Sequence, residues 1–580
     1  RCSVSAALFC QRRAVLSAPR CSVSAALFCQ RRAVLSAPRC SVSAALFLSA
    51  QEPMAEEKPV SISRAAGIVG FFTLLSRVAG LLRDSMMAYV FPKVITDIFT
   101  VAFTIPNVLR YLLAEGALSI SFIPVYTEYR RKNPDETERF VQTAFTVTAI
   151  IVAGVTVAGI LAAPVLVTMF AGGFSDEPAK FQMTVNLTRI LFPYIFFVSL
   201  MALSMGVLNT LGHFVTPALA PMFWNLICVA AGFSAPFLGN ALGVEPIYVF
   251  AWGVVFGGII QFAIQIPPMR ARKVTFKPRP QFGHPGVVKM AKLMLPALFG
   301  LAVYQFNVLL SRLFASFLET GALSSLYYSQ RLIEFPMGVF AVAIATASMP
   351  TLSAHASDGD LEKLKSTLRT SLELTFFVVL PSAVGLFVMA EPLVAILFQR
   401  GQFGVDMARI TAMTLMAFTL GVPSAGIVRN LVPAYYATSD SRTPVIASAC
   451  SLLSYMMLGP LFAWHFGVVG LAVAISLSSW INATVLIWRF RKKVGDLELT
   501  RLLPNVLRMA AAAVLMGAAV WGACLPGVWS RGGNNLRNLA VFMVALGAGM
   551  LVYAGAATAL GLPHTRRVFN AVLRRGRKNT

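Results

Sequence analysis

Charged side chains interrupt an apolar stretch near the start of this sequence. The segment FFTLLSRVAGLLRDSMMAYVF, residues 71–91, contains Arg77, Arg83 and Asp84. A charged group near the centre of a bilayer costs at least roughly 2.5–3.5 kcal/mol, so a lipid-facing helix has no use for three of them. Arg77 and Asp84 are seven residues apart and share one stripe of a helix, with Arg83 about a third of a turn away. We therefore expect these side chains to face protein or water.

A second apolar segment, TDIFTVAFTIPNVLRYLLAEGALS, carries four more polar or charged residues, Asp97, Asn107, Arg110 and Glu115. Pro106 removes a backbone donor just before Asn107. A membrane helix broken in this way exposes polar backbone only where it lines a cavity or is buried in protein. The segment is therefore predicted to line a polar cavity.

A third segment, LYYSQRLIEFPMG, places Tyr327, Arg331 and Glu334 at i, i+4 and i+7, on one helical face. Arginine is the side chain whose planar fork holds phosphate or carboxylate with two hydrogen bonds. Four such residues within apolar segments predict a basic cavity for an anionic substrate, with the acids orienting the guanidinium groups. The alternative is that each arginine pairs with a nearby carboxylate and only locks helix packing.

The elements that position these residues must be membrane helices. Of the 580 residues, 57% are hydrophobic and 13% are charged, and the mean hydropathy is +0.72. This composition excludes a soluble globular protein and is typical of a polytopic, all-α membrane protein. The formal charge of +25 is explained by basic cytoplasmic loops, so no nucleic-acid partner is expected. The sequence has no GxxxxGK[ST] or HExxH motif, and the five histidines are scattered, so we expect neither an enzyme nor a cofactor or metal site.

Apolar runs of about 20 residues, the length that spans a bilayer, predict about fourteen transmembrane helices. Their centres lie near Phe72, Phe103, Val152, Phe197, Leu226, Val255, Leu301, Val339, Val384, Leu420, Leu453, Ser476, Val514 and Leu546. Positive charge is concentrated in alternate connections, including residues 129–139, 269–279 and 488–501, whereas residues 172–180, 240–246 and 317–324 carry little of it. By the positive-inside rule both termini are cytoplasmic.

Prolines show an internal repeat. Four pairs are separated by 226 to 230 residues, namely Pro106 and Pro336, Pro124 and Pro350, Pro164 and Pro392, and Pro217 and Pro444. The segment APVLVTMFAGGF at 163–174 also matches EPLVAILFQRGQF at 391–403. We interpret this offset as two parallel six-helix lobes, a transporter arrangement with the substrate site between the halves, plus two extra C-terminal helices.

The predicted domain organisation follows from the repeat. Residues 1–53 contain three identical copies of RCSVSAALF, and we expect this extension to be disordered or non-native in origin, and dispensable. Residues 54–280 are assigned to the first lobe, 281–493 to the second, and 494–580 to the last two spans and a basic cytoplasmic tail.

The segments SRVAGLLRD (76–84), TDIFTVAFTIPNVLRYLLAEGALSISFIPVY (96–126) and YYSQRLIEFPMGV (327–339) resemble the lipid II flippase family, MurJ, formerly MviN. The family belongs to a larger exporter superfamily with multidrug antiporters and polysaccharide flippases. The resemblance implies that Arg77, Arg83, Asp84, Arg110 and Arg331 bind substrate. Asp97, Asn107, Glu115, Tyr327 and Glu334 would support the cavity, and the last two spans would form a groove for a polyprenyl tail.

The resemblance also implies a location and partners. The expected location is the bacterial inner membrane, and the expected partners are lipid II, membrane lipids and proteins of peptidoglycan synthesis and division. Gln330 stands where a common family pattern has Asp. Some relatives have a cation site formed by acids on the seventh and eleventh spans. Here those spans, residues 287–317 and 443–464, contain no acid, so sodium coupling is not expected. The alternative functions are a polysaccharide-lipid flippase, a cation-coupled drug exporter, or a membrane scaffold for wall synthesis.

Overall fold

The computed structural model describes residues 62–529, 533, 535–562 and 565. Within these residues the chain is helical and no strand occurs, which confirms the all-α prediction. The extension of residues 1–53 and the basic tail beyond residue 565 lie outside the described residues, so the expectations for them stay predictions.

The first repeat begins with α1 and extends to α10. Its elements are α1 Ile62–Val90, α2 Lys93–Arg110, a π-helical segment Tyr111–Leu118, α3 Ser119–Lys132, α4 Pro134–Leu161, α5 Ala163–Phe170, a 3₁₀ turn Gly172–Asp176, α6 Pro178–Leu191, α7 Pro193–Thr210, α8 Val215–Leu242, α9 Pro246–Ala263 and α10 Ile266–Ala271.

The second repeat and the C-terminal pair follow. Their elements are α11 Pro285–Ser316, α12 Ala322–Pro336, a π-helical segment Met337–Ala341, α13 Val342–Ser357, α14 Leu361–Val388, α15 Ala390–Phe398, α16 Val405–Thr419, α17 Val422–Ala437, α18 Arg442–Val494, α19 Leu499–Cys524 and α20 Leu536–Ala559.

The helix boundaries confirm the internal repeat. Helices α4 and α14 begin at residues 134 and 361 and end at 161 and 388, an offset of 227 at both ends. The same offset of 227 separates the starts of α5 and α15, of α6 and α16, and of α8 and α18. Each repeat also has a π-helical segment that follows a proline of the first repeated pair, Pro106 in one repeat and Pro336 in the other. A shared sequence period thus produces a shared chain path.

Prolines and glycines set several of the boundaries. Proline occupies the first turn of α4, α6, α7, α9 and α11, where its missing N–H has no helical partner to lose. Helix α18 is a hairpin of two helices rather than one rod of 53 residues, because Gly467 has φ 55° and ψ −138°. Ser451 Oγ donates to the Ser478 carbonyl at 2.8 Å, which places the two arms side by side.

Eight of the described helices are long and apolar enough to cross a membrane, or nine if the pair α16 and α17, bent by 46°, counts as one span. Every predicted span centre falls in a described helix, in a π-helical segment, or between the two members of the bent pair. Two centres, Leu453 and Ser476, occupy the two arms of α18. The protein is a multi-pass membrane protein, and the exact number of fourteen spans stays a prediction.

Helices α2 and α12, which carry charged segments of the two repeats, pack against each other. In the first repeat α1 packs along α8, and in the second repeat α12 packs along α16. Helix α19 packs along α14 of the second repeat and along α20. The hydroxyl of Tyr553 on α20 donates to the Phe377 carbonyl of α14 at 2.6 Å. The C-terminal pair is therefore attached to the outside of the second repeat.

Candidate functional site

Asp84 is the centre of a buried charge network that joins the two repeats. Its side chain is fully buried on α1, and Oδ1 accepts hydrogen bonds from Arg83 Nη2 at 2.7 Å and Arg83 Nε at 3.0 Å. The Tyr327 hydroxyl of α12 donates to the same oxygen at 2.9 Å, and Arg331 Nε donates to Oδ2 at 3.1 Å. One carboxylate therefore balances two guanidinium groups from different repeats.

Arg83 is buried and held on several sides. Beyond Asp84, its Nη1 donates to Asn225 Oδ1 of α8 at 3.1 Å and its Nη2 donates to the Tyr327 hydroxyl at 3.1 Å. The guanidinium carbon lies 4.9 Å from the ring centroid of Trp224, a cation–π distance. Asn225 is fixed in turn, because its amide donates to the carbonyls of Ser76 and Pro221. In this conformation most of the hydrogen-bonding capacity of Arg83 is used within the protein.

The side chains of Arg331 and Arg77 are more exposed than that of Arg83. The Arg331 side chain is 34% exposed, and besides Asp84 it pairs with Glu334 through Nη1 at 3.2 Å. Arg77 Nη1 donates to the main-chain carbonyl of Glu334 at 3.1 Å. Glycines permit these contacts, because a Cβ at Gly338 would clash with the Arg77 guanidinium and one at Gly80 would lie 3.0 Å from Arg331 Nη2. Tyr327, Arg331 and Glu334, which the spacing predicts on one face of α12, all make contacts with side chains of α1.

Arginines from both repeats line one cavity of about 730 Å³, which we call the arginine compartment. Its charged lining residues are Arg77, Arg110, Arg331, Arg429 and Glu334. Helices α1, α2, α7 and α8 of the first repeat and α12, α13 and α17 of the second form its walls. Four guanidinium groups against one carboxylate make this compartment strongly cationic.

A second cavity of about 460 Å³ adjoins the first, and we call it the glutamine compartment because Gln261, Gln305 and Gln330 line it. The two compartments share part of their lining, namely Ser76, Arg77, Arg110, Tyr111, Pro221, Arg331 and Glu334. Aromatic residues, including Phe99, Phe103 and Trp224, form another part of its wall. Its charged lining residues are Arg77, Arg83, Arg110, Arg312 and Arg331 against Asp84 and Glu334, so both compartments carry an excess of positive charge.

Asn107 lines the glutamine compartment and Arg110 lines both compartments, but the helix break expected at Pro106 does not occur, because α2 continues through Pro106 to Arg110. Arg110 Nε donates to Asn107 Oδ1 at 2.8 Å, so the two side chains form one unit just before the first π-helical segment. Glu115 lies within that segment, and its side chain lies outside the described residues. Its predicted supporting role stays a prediction.

Asp97 of α2 lies beside the N-terminus of α12 and lines neither compartment. Its Oδ2 accepts from the Gly321 N–H at 2.6 Å, and its Oδ1 accepts from the Ser324 N–H at 2.8 Å and from the Ser324 hydroxyl. The carboxylate thus satisfies backbone donors at the start of α12, where a negative charge is favourable. These bonds connect α2 to the start of the helix that carries Tyr327 and Arg331, and the supporting role predicted for Asp97 stays a prediction.

The repeats are also joined at this end by two other hydrogen bonds. The Gln402 N–H donates to the Tyr89 carbonyl at 3.1 Å, and the Gly173 N–H donates to Ser316 Oγ at 3.1 Å. Together with the contacts of Asp97, these bonds close one end of the space between the repeats. We call this set of contacts the closed end.

Comparison with known proteins shows the family to which the chain belongs. The family model described as "Lipid II flippase MurJ" matches residues 86–531. The chain belongs to the lipid II flippase MurJ family. A probable lipid II flippase MurJ of Vibrio cholerae is 37% identical over 85% of this chain and 95% of its own length. One of Haemophilus influenzae is 37% identical over 77% of this chain and 90% of its own length.

Solved structures agree with the MurJ assignment. A lipid II flippase MurJ in an inward closed conformation has a TM-score of 0.70 and 25% identity, covering 85% of this chain and 98% of its own. An inward-facing multidrug resistance MATE family transporter of the MOP superfamily has a TM-score of 0.61 at 12% identity, covering 75% and 99%. The second likeness shows a shared fold.

At least four residues that line the cavities of this MurJ family member were missed from the sequence, namely Trp224, Asn225, Arg312 and Arg429. Asn225 and Trp224 were not chosen because tryptophans in membrane proteins are usually interfacial anchors or packing residues. An asparagine inside an apolar span is the signal that identifies this pair, since buried amides need partners. Arg429 has the same signature as the four predicted arginines, a guanidinium within the apolar segment of α17.

Proposed function

We propose that the protein is a flippase that moves lipid II, undecaprenyl-diphosphate-linked disaccharide-pentapeptide, from the inner to the outer leaflet of the bacterial inner membrane. It works as a transporter and not as an enzyme. Family membership supports the substrate, and the arginine compartment supports the chemistry. Four arginines facing a cavity between two repeats suit a diphosphate, which a guanidinium fork can hold with two hydrogen bonds.

Alternating access follows from the repeat. We assign residues 54–280 and 281–493 to two lobes that rock against each other and residues 494–580 to the appended spans and tail. With both termini cytoplasmic, the closed end faces outward and the arginine compartment takes its substrate from the cytoplasmic leaflet. The polyprenyl tail stays in lipid along α19 and α20, which avoids moving the tail through the polar cavity. Proteins of peptidoglycan synthesis and division are the proposed partners that supply and use the substrate.

The roles of the predicted binding residues differ under this proposal. Arg77, Arg110 and Arg331 contact the diphosphate, because they line the arginine compartment. Arg83 and Asp84 hold Arg331 and Tyr327 in place, since their own hydrogen bonds are made inside the network. An Asp84 that exchanges partners during the cycle would release Arg331 fully to the substrate.

The deciding experiment measures how much lipid-linked wall precursor is accessible from outside the cell after depletion of the protein. We expect that external pool to disappear, and an unchanged pool would reject the flippase proposal. Complementation by variants then tests the site. Arg331→Ala is expected to abolish complementation at normal membrane abundance, and Arg331→Lys to impair it less completely, because Lys keeps the charge but lacks the fork.

The control for these variants is Arg442→Ala, which removes an exposed arginine outside both cavities. It is expected to complement fully. Loss of the Arg331→Ala protein from the membrane, or full activity with Ala at Arg77, Arg83, Arg110 and Arg331 together, would show that these charges serve helix packing.

A further inference from the structure

Two loops at the closed end occupy equivalent places in the two repeats. Residues 171–177 connect α5 to α6, and residues 399–404 connect α15 to α16. Each loop contacts the end of a helix from the other repeat: the first lies against Ser316 of α11, and the second lies against Tyr89 of α1. Tyr89 and Ser316 are themselves 227 residues apart, which is the offset of the repeat. One kind of contact between the repeats therefore occurs twice at the closed end.

Both contacts require a glycine in the loop. A Cβ at Gly173 would overlap the Ser316 carbonyl, and a Cβ at Gly401 would overlap the Tyr89 carbonyl. In each case the obstacle includes backbone at the end of a helix, which cannot move aside as a flexible side chain can. Any larger residue at either position would hold its loop away from the opposite repeat. We call these two close approaches the glycine contacts.

The second loop, residues 399–404, separates its internal hydrogen bond from its bond to the other repeat. The Phe403 N–H donates to the Arg400 carbonyl of the same loop at 3.1 Å. The preceding N–H, that of Gln402, donates to the Tyr89 carbonyl of α1, also at 3.1 Å. Adjacent amides therefore report separately on the shape of the loop and on its contact with the first repeat.

The first loop, residues 171–177, is arranged in the same way. The Phe174 N–H donates to the Ala171 carbonyl at 3.0 Å, within the loop. The preceding N–H, that of Gly173, donates across the repeats to Ser316 Oγ at 3.1 Å. The two loops thus present matching donors, each beside its glycine contact.

We infer that Gly173 and Gly401 are positioning residues that set the equilibrium between the closed end and an open one, and that the two glycine contacts form and break together. This inference rests on the alternating access of the proposed function, in which the repeats separate at this end. Each contact joins a loop of one repeat to the first helix of the other, so both contacts connect the same two bodies. A movement that breaks one contact therefore also withdraws the partner of the other.

Hydrogen–deuterium exchange of the purified full-length protein in bilayer nanodiscs, read by mass spectrometry, tests this coupling. Gly173→Ala is the cleaner variant, because the φ of Gly173 is not in the left-handed region and the added methyl group meets only the end of α11. Exchange follows the population in which a hydrogen bond is open. We expect the Gln402 amide, in the other loop, to exchange about tenfold faster or more, since a methyl group forced into a filled space shifts such an equilibrium by a factor of about 5 to 150. The Phe403 amide should exchange as in the wild type.

A matched control and a reciprocal variant are available in the second loop. Gly404 has φ −72°, and a Cβ there would meet open space, so Gly404→Ala repeats the chemical change without the overlap. It should leave exchange in both loops unchanged. Gly401→Ala should speed exchange of the Gly173 amide in the first loop, and because Gly401 has φ 57° it also strains its own loop. Coupling in both directions is the expected result.

The remaining outcomes would overturn the inference. Faster exchange confined to residues 171–177 in Gly173→Ala would show that the two contacts are independent. Faster exchange of Phe403 together with Gln402 would show that the variant disrupts the loop itself, and an equal effect of Gly404→Ala would show that the overlap is not the cause. These measurements need no substrate, so the proposed function fails separately, when depletion of the protein leaves the external pool of wall precursor unchanged.

Discussion

Replacing Asp84 by Asn tests whether the buried network holds the two repeats together. The change preserves the shape of the side chain but removes its charge and turns one acceptor into a donor. Four hydrogen bonds converge on the carboxylate, two from Arg83, one from Tyr327 and one from Arg331. With an amide at position 84, the guanidinium of Arg83 has no counter-charge.

The magnitude follows from burial. The Arg83 side chain is 9% exposed and cannot recover hydration, so breaking this pair should cost about 3–5 kcal/mol of the free energy of unfolding. The Arg331 side chain is 34% exposed, and its pair with Asp84 should add only about 0–1 kcal/mol. The expected loss for Asp84→Asn is therefore dominated by Arg83.

A double-mutant cycle with Arg83→Met isolates that pair. Asp84→Asn should cost about 3–5 kcal/mol, and Arg83→Met should cost less because Asp84 keeps its pair with Arg331. The double variant should be destabilised by at least about 1 kcal/mol less than the sum, because it leaves neither member of the Arg83–Asp84 pair as an unpaired charge. Equilibrium unfolding of the full-length protein by denaturant in detergent provides the measurement. Asp358→Asn, at an exposed position, is the control and should change stability by less than about 0.5 kcal/mol. Effects of Asp84→Asn and Arg83→Met that add within about 0.5 kcal/mol would refute the network.

Three other predictions concern energy, pH and the N-terminal extension. Collapsing the membrane potential at fixed sodium should stop export, since a charge crossing the whole field gains about 2.3 kcal/mol per 100 mV; activity that follows sodium instead would contradict this. In the α17–α18 turn, burial acts to raise the pKa of Asp440, but hydrogen bonds from Thr443 and Lys493 outweigh it and lower that pKa to about 2. The resulting stability is present above the ordinary pKa and is lost as the pH falls from about 4 to 2, so the unfolding difference between wild type and Asp440→Asn, on the order of 1–2 kcal/mol at pH 7, should shrink over that range. A chain that begins at Met54 should complement a depleted strain as well as the longer chain, and its failure would show that residues 1–53 are functional.

The repeat made much of the fold predictable from one sequence. Prolines and short matching segments defined an offset of about 227 residues, and the helix boundaries follow that offset. Local spacing was equally informative on α12, where Tyr327 and Arg331 both reach Asp84. These features could be predicted because they depend only on the period of the sequence repeat and on the geometry of one helix.

Contacts between residues that are distant in sequence could not be predicted. Arg83 and Asn225 are separated by 142 residues, and nothing in either segment specifies the other. Asp97 was predicted to support the cavity, but the sequence did not show that it would accept hydrogen bonds from Gly321 and Ser324 at the start of α12. Such pairs depend on how α1, α2, α8 and α12 pack, which periodicity does not determine.

The contacts of the closed end set the cost of separating the repeats there. They include hydrogen bonds at Asp97, between Gln402 and Tyr89, and between Gly173 and Ser316. Opening exchanges each bond for one to water, at a net cost of about 0.5–1.5 kcal/mol for a neutral pair and about 1.5–3 kcal/mol for a bond to a charged group. Apolar residues of both repeats, including Phe174 and Leu323, also share one buried cluster, and exposing them costs about 25 cal/mol for every Å². The polar contacts are therefore only part of the cost that the membrane potential and the binding of a diphosphate must supply, and the Asp84 network adds to it, because α1 and α12 belong to different repeats.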